Sequence, residues 1–429
     1  MAKTKYSHAF LVGVLNEKLK PRQLNKEWER QVMQNDGEHG YDSLCKLYYK
    51  AHIDSMLQAK SQKRPKFVSG VCHYTHKLEA SKQLVSLSFV KERMKKDSND
   101  IESLTIIHID GYFLKVCAIH LYFFPLRTVL FAIEIDDSGS ELNDLTMGHF
   151  CLMNWIWEGD GRFHDTTKDS LSEALSPLQN LLKGKKLANL MAGGSKMKMF
   201  RTIQLDTLKI SDAMLYEIST NAPIGCVNGN KWLTPSKDYF DSMMKDNTVS
   251  VFKSWKALAL MDSFTLLGTA GGFIKEDWNT LYFPLIYLRC FYEKSFCYSR
   301  NNNYRKNYIK RNLVRDISLM EKYYFYQNIS YNFLPNLLYK AMAKGLELEE
   351  ERFELSKQIN EKSEKNKDII LGIVSAFAIF SIVYDLYSIV ISAMGVHKES
   401  IPWLAFILIV LGAVAILGIN IYLYSSRKK

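Results

Sequence analysis

The chain has 429 residues and a formal net charge of +11, is 47% hydrophobic and 24% charged, and contains nine prolines and seven cysteines. This length suits two or three domains, and the composition excludes a disordered or collagen-like chain. Because the number of cysteines is odd and no Cys-x-x-Cys pair occurs, we predict a reducing compartment and no disulfide framework.

Residues 1–280 combine strand and helix patterns, and we predict an α+β (α/β-like) domain with a mixed sheet. The first residues lack an apolar stretch long enough for a secretory signal, so we expect this domain to be cytosolic. Turn signals such as Asp110-Gly111 separate several of the strands. The predicted strands are 67–74, 85–90, 104–109, 113–121 and 128–135, and the predicted helices are 41–57, 148–157, 169–182 and 250–267.

This domain offers few patterns that indicate chemistry, and we do not predict an enzyme. Asn154 and Trp157 precede a turn that contains Arg162, a combination that could stack on a base and hold a phosphate. The alternative is that the tryptophans are core residues beside a turn. Cys72, His73 and His76 form a cluster without a second ligand pair at zinc spacing, and they would alternate between the two faces of a strand.

Residues 281–367 are predicted to form a helical hairpin and stalk. A basic, tyrosine-rich stretch from Arg289 to Arg315 is followed by a run of glutamates at 347–354, which favours two antiparallel helices of opposite charge. We predict one helix from Asn336 into the first apolar segment. As alternatives, Glu350 and Glu354 could bind divalent ions between subunits, or the basic stretch could bind nucleic acid; direct nucleic-acid binding is not expected.

Two apolar segments near the C-terminus are predicted to cross a membrane. Residues 369–394 contain one charged residue and residues 402–424 contain none, and at 1.5 Å per residue each is about 35 Å long or more. Six Lys and Arg residues lie just before the first segment or just after the second, whereas the loop between the segments contains one. Basic residues favour the cytoplasmic side, so both termini should be cytoplasmic. We therefore predict a multi-pass protein of the cell (inner) membrane. The predicted segments are 368–394, an external loop 395–401, 402–424 and a basic tail 425–429.

Small polar residues follow one face of the first span. Ser381, Asp385, Ser388 and Ser392 are spaced for a single helix face, which continues toward the cytoplasm as Ala378, Val374 and Leu371. A carboxylate inside a bilayer is costly and should face protein or water. The stripe therefore lines the pore of an oligomer, with a ring of Asp385 favouring cations and an apolar constriction below it. The alternative is a helix–helix contact with a buried Asp385.

The order of these parts resembles the CorA family of pentameric magnesium channels. In that family the first span ends in Gly-Met-Asn; this chain has Ala393-Met394-Gly395, so Met394 matches and Gly395 stands at the Asn position of the pore mouth. The resemblance implies a homopentamer in the lipid bilayer and Mg²⁺ as a possible ion. The changed motif and the large N-terminal domain are similar to CorA-type effectors associated with type III CRISPR systems, which implies a nucleotide second messenger, adenylated S-adenosylmethionine, as the ligand.

These features together predict a ligand-gated cation channel of CorA type with an antiviral role. Two alternatives stay open. One is an ordinary magnesium or divalent-cation transporter gated by cytosolic magnesium. The other is a nucleotide sensor or enzyme that the two spans merely tether to the membrane.

Overall fold

A computed structural model describes residues 3–15, 19–31, 71–96, 102–158, 163–165, 170–182, 197–229, 234–270, 278–305, 313–326 and 328–358, together with 371, 372, 375 and 389. The chain divides into two compact units, Met1–Leu355 and Ser356–Lys429. The first unit contains the whole described sheet. It also contains residues 281–355, most of the segment for which the sequence predicts a hairpin and stalk.

The body is mixed α/β with one large sheet. The strands follow the order β2-β3-β5-β6-β1-β8-β11-β10-β9, and β4 pairs with β5 and β7. The β8–β11 pair is parallel and the other pairs are antiparallel. The strands are β1 Thr4–Leu15, β2 Glu29–Gln31, β3 Cys72–Lys77, β4 Leu84–Lys96, β5 Glu102–Phe123, β6 Val129–Asp136, β7 Phe163–Asp165, β8 Lys198–Leu205, β9 Thr248–Val249, β10 Trp255–Ala259 and β11 Ser263–Gly268.

Helices cover both faces of this sheet. A π-helical segment, Trp278–Tyr287, leads directly into α6. The α-helices are α1 Leu142–Glu158, α2 Ser170–Ala174, α3 Ser176–Leu181, α4 Asp212–Thr220, α5 Lys237–Asn247, α6 Leu288–Arg305, α7 Leu313–Tyr323, α8 Phe333–Gly345 and α9, 348–358.

The two faces of the sheet differ in what covers them. Face 1 bears Leu11 and its cross-strand partners Ile133 and Met199, and apolar residues of α1, α2 and α3 pack on it in one continuous core. Face 2 bears Phe10 and is partly covered by the π-helical segment, whose Phe283 stacks on Phe10 with ring centroids 3.9 Å apart. Successive side chains of a strand point to opposite faces of the sheet, so the neighbours Phe10 and Leu11 lie on different faces.

Two predicted strands are one. Residues 104–109 and 113–121 both belong to the 22-residue strand β5, although Asp110-Gly111 predicted a turn between them. The pairing with β4 instead shifts register there, because Leu87 pairs with Tyr112 and Phe89 pairs with Ile109. Two residues of β5 thus oppose one of β4, which is a β-bulge, and glycine is common in bulges.

The predicted helix 250–267 is wrong. Those residues form the antiparallel hairpin of β10 and β11, closed by a hydrogen bond from the Leu260 amide to the Ser263 carbonyl at 2.7 Å. The segment consists of short apolar runs between polar residues, and a short apolar run does not distinguish a buried strand from a buried helix by periodicity. Pairing of β11 with β8 decides the outcome, because it buries all six residues of β11.

The other predicted elements agree with the structure to different extents. The predicted helix 148–157 lies within α1, and 169–182 corresponds to α2 and α3, which are separated at Leu175 before a proline at the start of α3. The predicted strands 85–90 and 128–135 coincide with parts of β4 and β6, whereas 67–74 overlaps β3 only at its end. The predicted helix 41–57 lies outside the described residues.

The predicted continuous stalk helix is interrupted. Helix α8 ends at Gly345, and α9 begins at residue 348 after Glu347 adopts a left-handed backbone with φ of 53°. Gly345 lies against β10, and a Cβ added there would be 2.8 Å from the carbonyl carbon and oxygen of Ala259. The close approach of α8 to the hairpin requires a glycine at this position. Beyond residue 358 the predicted stalk lies outside the described ranges.

We expect Gly345→Ala to lower the free energy of unfolding by about 1 kcal/mol. Alanine would favour the helix by about 1 kcal/mol, but its Cβ would overlap the Ala259 backbone, and overpacking of this kind costs about 1–3 kcal/mol. Urea unfolding of the full-length protein in detergent measures the change. Lys340→Ala, at an exposed position of α8, is the control and should change stability little; a Gly345→Ala protein as stable as this control would contradict the close contact.

Candidate functional site

An open cleft of about 420 Å³ lies on face 2 at the side where β2, β3, β5 and β6 adjoin. Its volume is in the range of small-molecule sites. Seven of its ten lining residues are polar or charged, including two histidines, a glutamate, a lysine and two glutamines. The lining residues are Gln31, His73, Thr75, Lys77, Leu78, Gln83, Cys117, Ala118, His120 and Glu134.

A hydrogen-bonded chain of four side chains, the histidine relay, begins in this cleft. His73 Nε2 is 3.0 Å from His120 Nδ1, His120 Nε2 is 2.8 Å from Glu134 Oε2, and His8 Nε2 is 2.9 Å from Glu134 Oε1. The Thr75 hydroxyl lies 2.9 Å from His120 Nδ1 and 3.2 Å from His73 Nε2. Four strands therefore contribute to one polar cluster.

The carboxylate determines the direction of these hydrogen bonds. An ionised Glu134 only accepts, so His120 and His8 each donate from Nε2. A neutral His120 then has its lone pair on Nδ1, and this nitrogen can accept from Thr75 or from His73. The arrangement of a base held by a carboxylate, with a hydroxyl within hydrogen-bond distance, is one that enzymes use to activate nucleophiles.

The electrostatics of the cluster keep Glu134 ionised and His73 neutral. Burial alone would raise the pKa of Glu134, but the hydrogen bonds from His120 and His8 hold that pKa well below its usual range. Burial lowers the pKa of His73 well below its usual value, and the neighbouring His120 lowers it further.

The sequence did not predict this site because its members are distant in the chain. Cross-strand pairing brings them together: Thr75 is opposite His120, and Glu134 is opposite both Ala118 and Phe10. The only local signal was the Cys72–His73–His76 cluster. As expected for a strand, His73 faces the cleft whereas His76 lies on the other face, with its ring centroid 5.4 Å from that of Trp28.

The residues that the sequence suggested for ligand or metal binding are not part of the described cleft. Asn154 and Trp157 lie on α1, and only their backbone is described, whereas Arg162 lies outside the described residues. On α9, Glu350 is exposed and Glu354 is half-buried. Within the described ranges, no three His, Cys, Asp or Glu side chains are grouped as a metal site.

Nearly all of the predicted pore lies outside the described residues. Leu371 is helical and exposed. The other candidates, Val374, Ala378, Ser381, Asp385, Ser388, Ser392, Met394 and Gly395, are not described. A search limited to the residues with described structure finds no helix long and apolar enough to span a membrane.

A buried ionic network connects α9 to α6. Glu293 is fully buried; its Oε1 accepts from Arg289 Nε at 2.8 Å and its Oε2 accepts from Arg352 of α9. Burial alone would lower the pKa of Arg352, but Glu293 raises it above the usual value. The same two helices are joined by a 2.9 Å bond from Asn301 Nδ2 to Glu351 Oε2.

Comparison with known proteins does not assign this chain to a family: no family model matches it, and neither a curated protein nor a solved structure is significantly similar to it. The resemblance to the CorA family, with the pentamer, ligand and ion that it implies, stays a prediction from the sequence.

Proposed function

We propose that the protein is a homo-oligomeric, ligand-gated cation channel of CorA type in a cell membrane. Its α/β body is the sensor for a small ligand, for which a nucleotide second messenger is our candidate. The predicted spans 368–394 and 402–424 form the pore, and Asp385 provides its cation selectivity.

The buried network around Glu293 is the observation that supports this function best. Helix α9 precedes the first predicted span in the sequence, and Arg352 attaches it to α6 of the body through an ion pair with the fully buried Glu293. The π-helical segment that leads into α6 in turn stacks on face 2, close to the cleft. A ligand that binds one arrangement of the body more tightly could shift the equilibrium between the open and closed pore through these contacts. The size of the shift is set by the difference between the ligand's affinities for the two arrangements.

The pore is tested by ion flux into liposomes that contain the full-length protein. We expect Asp385→Asn to reduce selectivity for cations over anions, because the substitution removes one carboxylate per subunit from the predicted ring. Leu386→Ala, one residue further along the predicted helix and off the polar stripe, is the matched control and should keep the selectivity. Unchanged selectivity in Asp385→Asn would contradict the pore assignment, and flux that stops as internal magnesium rises would favour the magnesium transporter.

A second candidate function is an enzyme or sensor that the spans only tether. The observation in its favour is the histidine relay, in which Glu134 orients His120 toward the Thr75 hydroxyl in an open cleft. Full-length protein that conducts no ions, yet converts a ligand in a reaction abolished by His120→Ala, would support this candidate over the channel.

A further inference from the structure

The donor atoms at the cleft end of the histidine relay are spaced like the ligands of one metal ion. His73 Nε2, His120 Nδ1 and Thr75 Oγ1 form a triangle with sides of 3.0, 2.9 and 3.2 Å. Ligand atoms bound at about 2.1 Å to one ion lie about 3.4 Å apart in a tetrahedral site and about 3.0 Å apart in an octahedral site. The two imidazole nitrogens now share a hydrogen bond, and a metal ion would take the place of the shared proton after a small turn of the half-buried His73 ring.

The surroundings of His120 match those of a metal-binding histidine. Such a histidine commonly donates its second ring N–H to a carboxylate, which orients the ring and makes it a stronger ligand. Here His120 Nε2 donates to Glu134 at 2.8 Å, and the other carboxylate oxygen is held by His8 at 2.9 Å. The ionised carboxylate also places a negative charge beside the His120 ring, which stabilises a cation bound to that ring.

From this geometry we propose that the cleft binds a first-row transition-metal ion, such as Zn²⁺, Co²⁺ or Ni²⁺, through His73 and His120. Imidazole nitrogen is a preferred ligand of these ions, whereas Mg²⁺ prefers oxygen. The proposed site contains two imidazole ligands, and the described residues contain no group of three His, Cys, Asp or Glu side chains that could hold a metal ion. The Thr75 hydroxyl is the third donor of the triangle, and the remaining coordination positions would be filled by water or by donor atoms of a small ligand in the 420 Å³ cleft. The site goes beyond the proposed channel and does not depend on ion conduction.

The test is equilibrium dialysis of chelator-treated, full-length protein in detergent against Zn²⁺, with Mg²⁺ as the comparison ion. We expect one Zn²⁺ per chain and no Mg²⁺ at the cleft. His73→Ala and His120→Ala should each weaken Zn²⁺ binding at least about tenfold, and Glu134→Gln, which removes only the orienting carboxylate, should weaken it by about 10–100-fold. Co²⁺ provides a second measurement, because its visible absorption should report nitrogen ligation in the native protein and change in the His73 variant.

His76→Ala is the matched control, since His76 is on the same strand but on the opposite face of the sheet. It should bind Zn²⁺ as the native chain does. His73→Gln preserves a polar side chain and distinguishes loss of the ligand from loss of the fold, which far-ultraviolet circular dichroism checks in every variant. Absence of Zn²⁺ binding by the native protein, or equal binding by the His73, His120 and His76 variants, would overturn the proposal.

Discussion

Replacing Glu293 with glutamine should lower the free energy of unfolding by about 3–5 kcal/mol, the loss typical of breaking a buried ion pair. Glu293 and Arg289 are both fully buried, and Glu293 also accepts from Arg352. The substitution would leave two guanidinium groups without a carboxylate. Chemical unfolding of the full-length protein in detergent measures the effect.

The exposed pair between Lys256 and Asp212 provides the control for charge removal alone. Their side chains are 32% and 53% exposed, and such pairs contribute about 0–1 kcal/mol, so Asp212→Asn should be nearly neutral. The double variant Glu293→Gln with Arg289→Met should lose less stability than the sum of the losses in the two single variants. The reason is that removing Arg289 also removes one of the charges that Glu293→Gln leaves unpaired. Equal stability of Glu293→Gln and Asp212→Asn would show that the network contributes little.

Acid should destabilise the body because His149 resists protonation in the folded chain. The free energy of unfolding should fall by up to about 1.4 kcal/mol for each pH unit below about 6.5. His149 is fully buried; its Nε2 is 2.9 Å from Asp137 Oδ2, and its Nδ1 is 3.2 Å from Arg201 Nη1. Burial lowers the pKa of His149 by more than the bond to Asp137 raises it. Burial likewise lowers the pKa of Arg201, to about 9, which still leaves that guanidinium charged at neutral pH.

Stability falls in acid because His149 takes up a proton at a higher pH in the unfolded chain than in the folded chain. Above about pH 6.5 the ring is neutral in both the folded and the unfolded chain, so the full stability is present. Below that pH the unfolded chain takes up a proton that the folded chain does not, and stability falls until the lower folded pKa of His149 is reached. His73, whose pKa is also lowered, should add to the slope.

The measurement is urea unfolding at pH 7, 6 and 5 for the native chain and for His149→Gln. The variant should be less stable at pH 7, because it loses contacts with Asp137 and Arg201, but its stability should fall less steeply with acid. His73→Gln should reduce the slope separately. If His149→Gln keeps the full native slope, the acid sensitivity comes from other groups.

The predictions that agree best with the structure are those in which one short segment decides the outcome. The strand 128–135 coincides with β6 to within a residue at each end, and the helix 148–157 lies within α1. Alternation of apolar side chains, or their recurrence with helical period, is a local property that burial on a single face preserves. Residues 336–367 of the predicted stalk helix contain one glycine, Gly345, and α8 ends there.

The failures occur where a distant segment decides the conformation. Residues 250–267 are apolar enough for a helix, and they form a hairpin because β8 offers β11 a parallel edge. Asp110-Gly111 has the composition of a turn, but continuous pairing with β4 makes it a bulge. Local propensity is a weak preference, and a paired, buried strand outweighs it.

By itself the sequence determined the alternation of strands and helices, the two long apolar segments and the stripe through Asp385, because spacing along one element is a property of the chain. Only the tertiary structure decided the histidine relay and the Glu293 network. His8, His73, His120 and Glu134 come from four strands, and Glu293 and Arg352 from two helices. The physical reason is that cross-strand register brings His8 within 2.9 Å of Glu134, 126 positions away, and helix packing joins Arg352 to Glu293, 59 positions away.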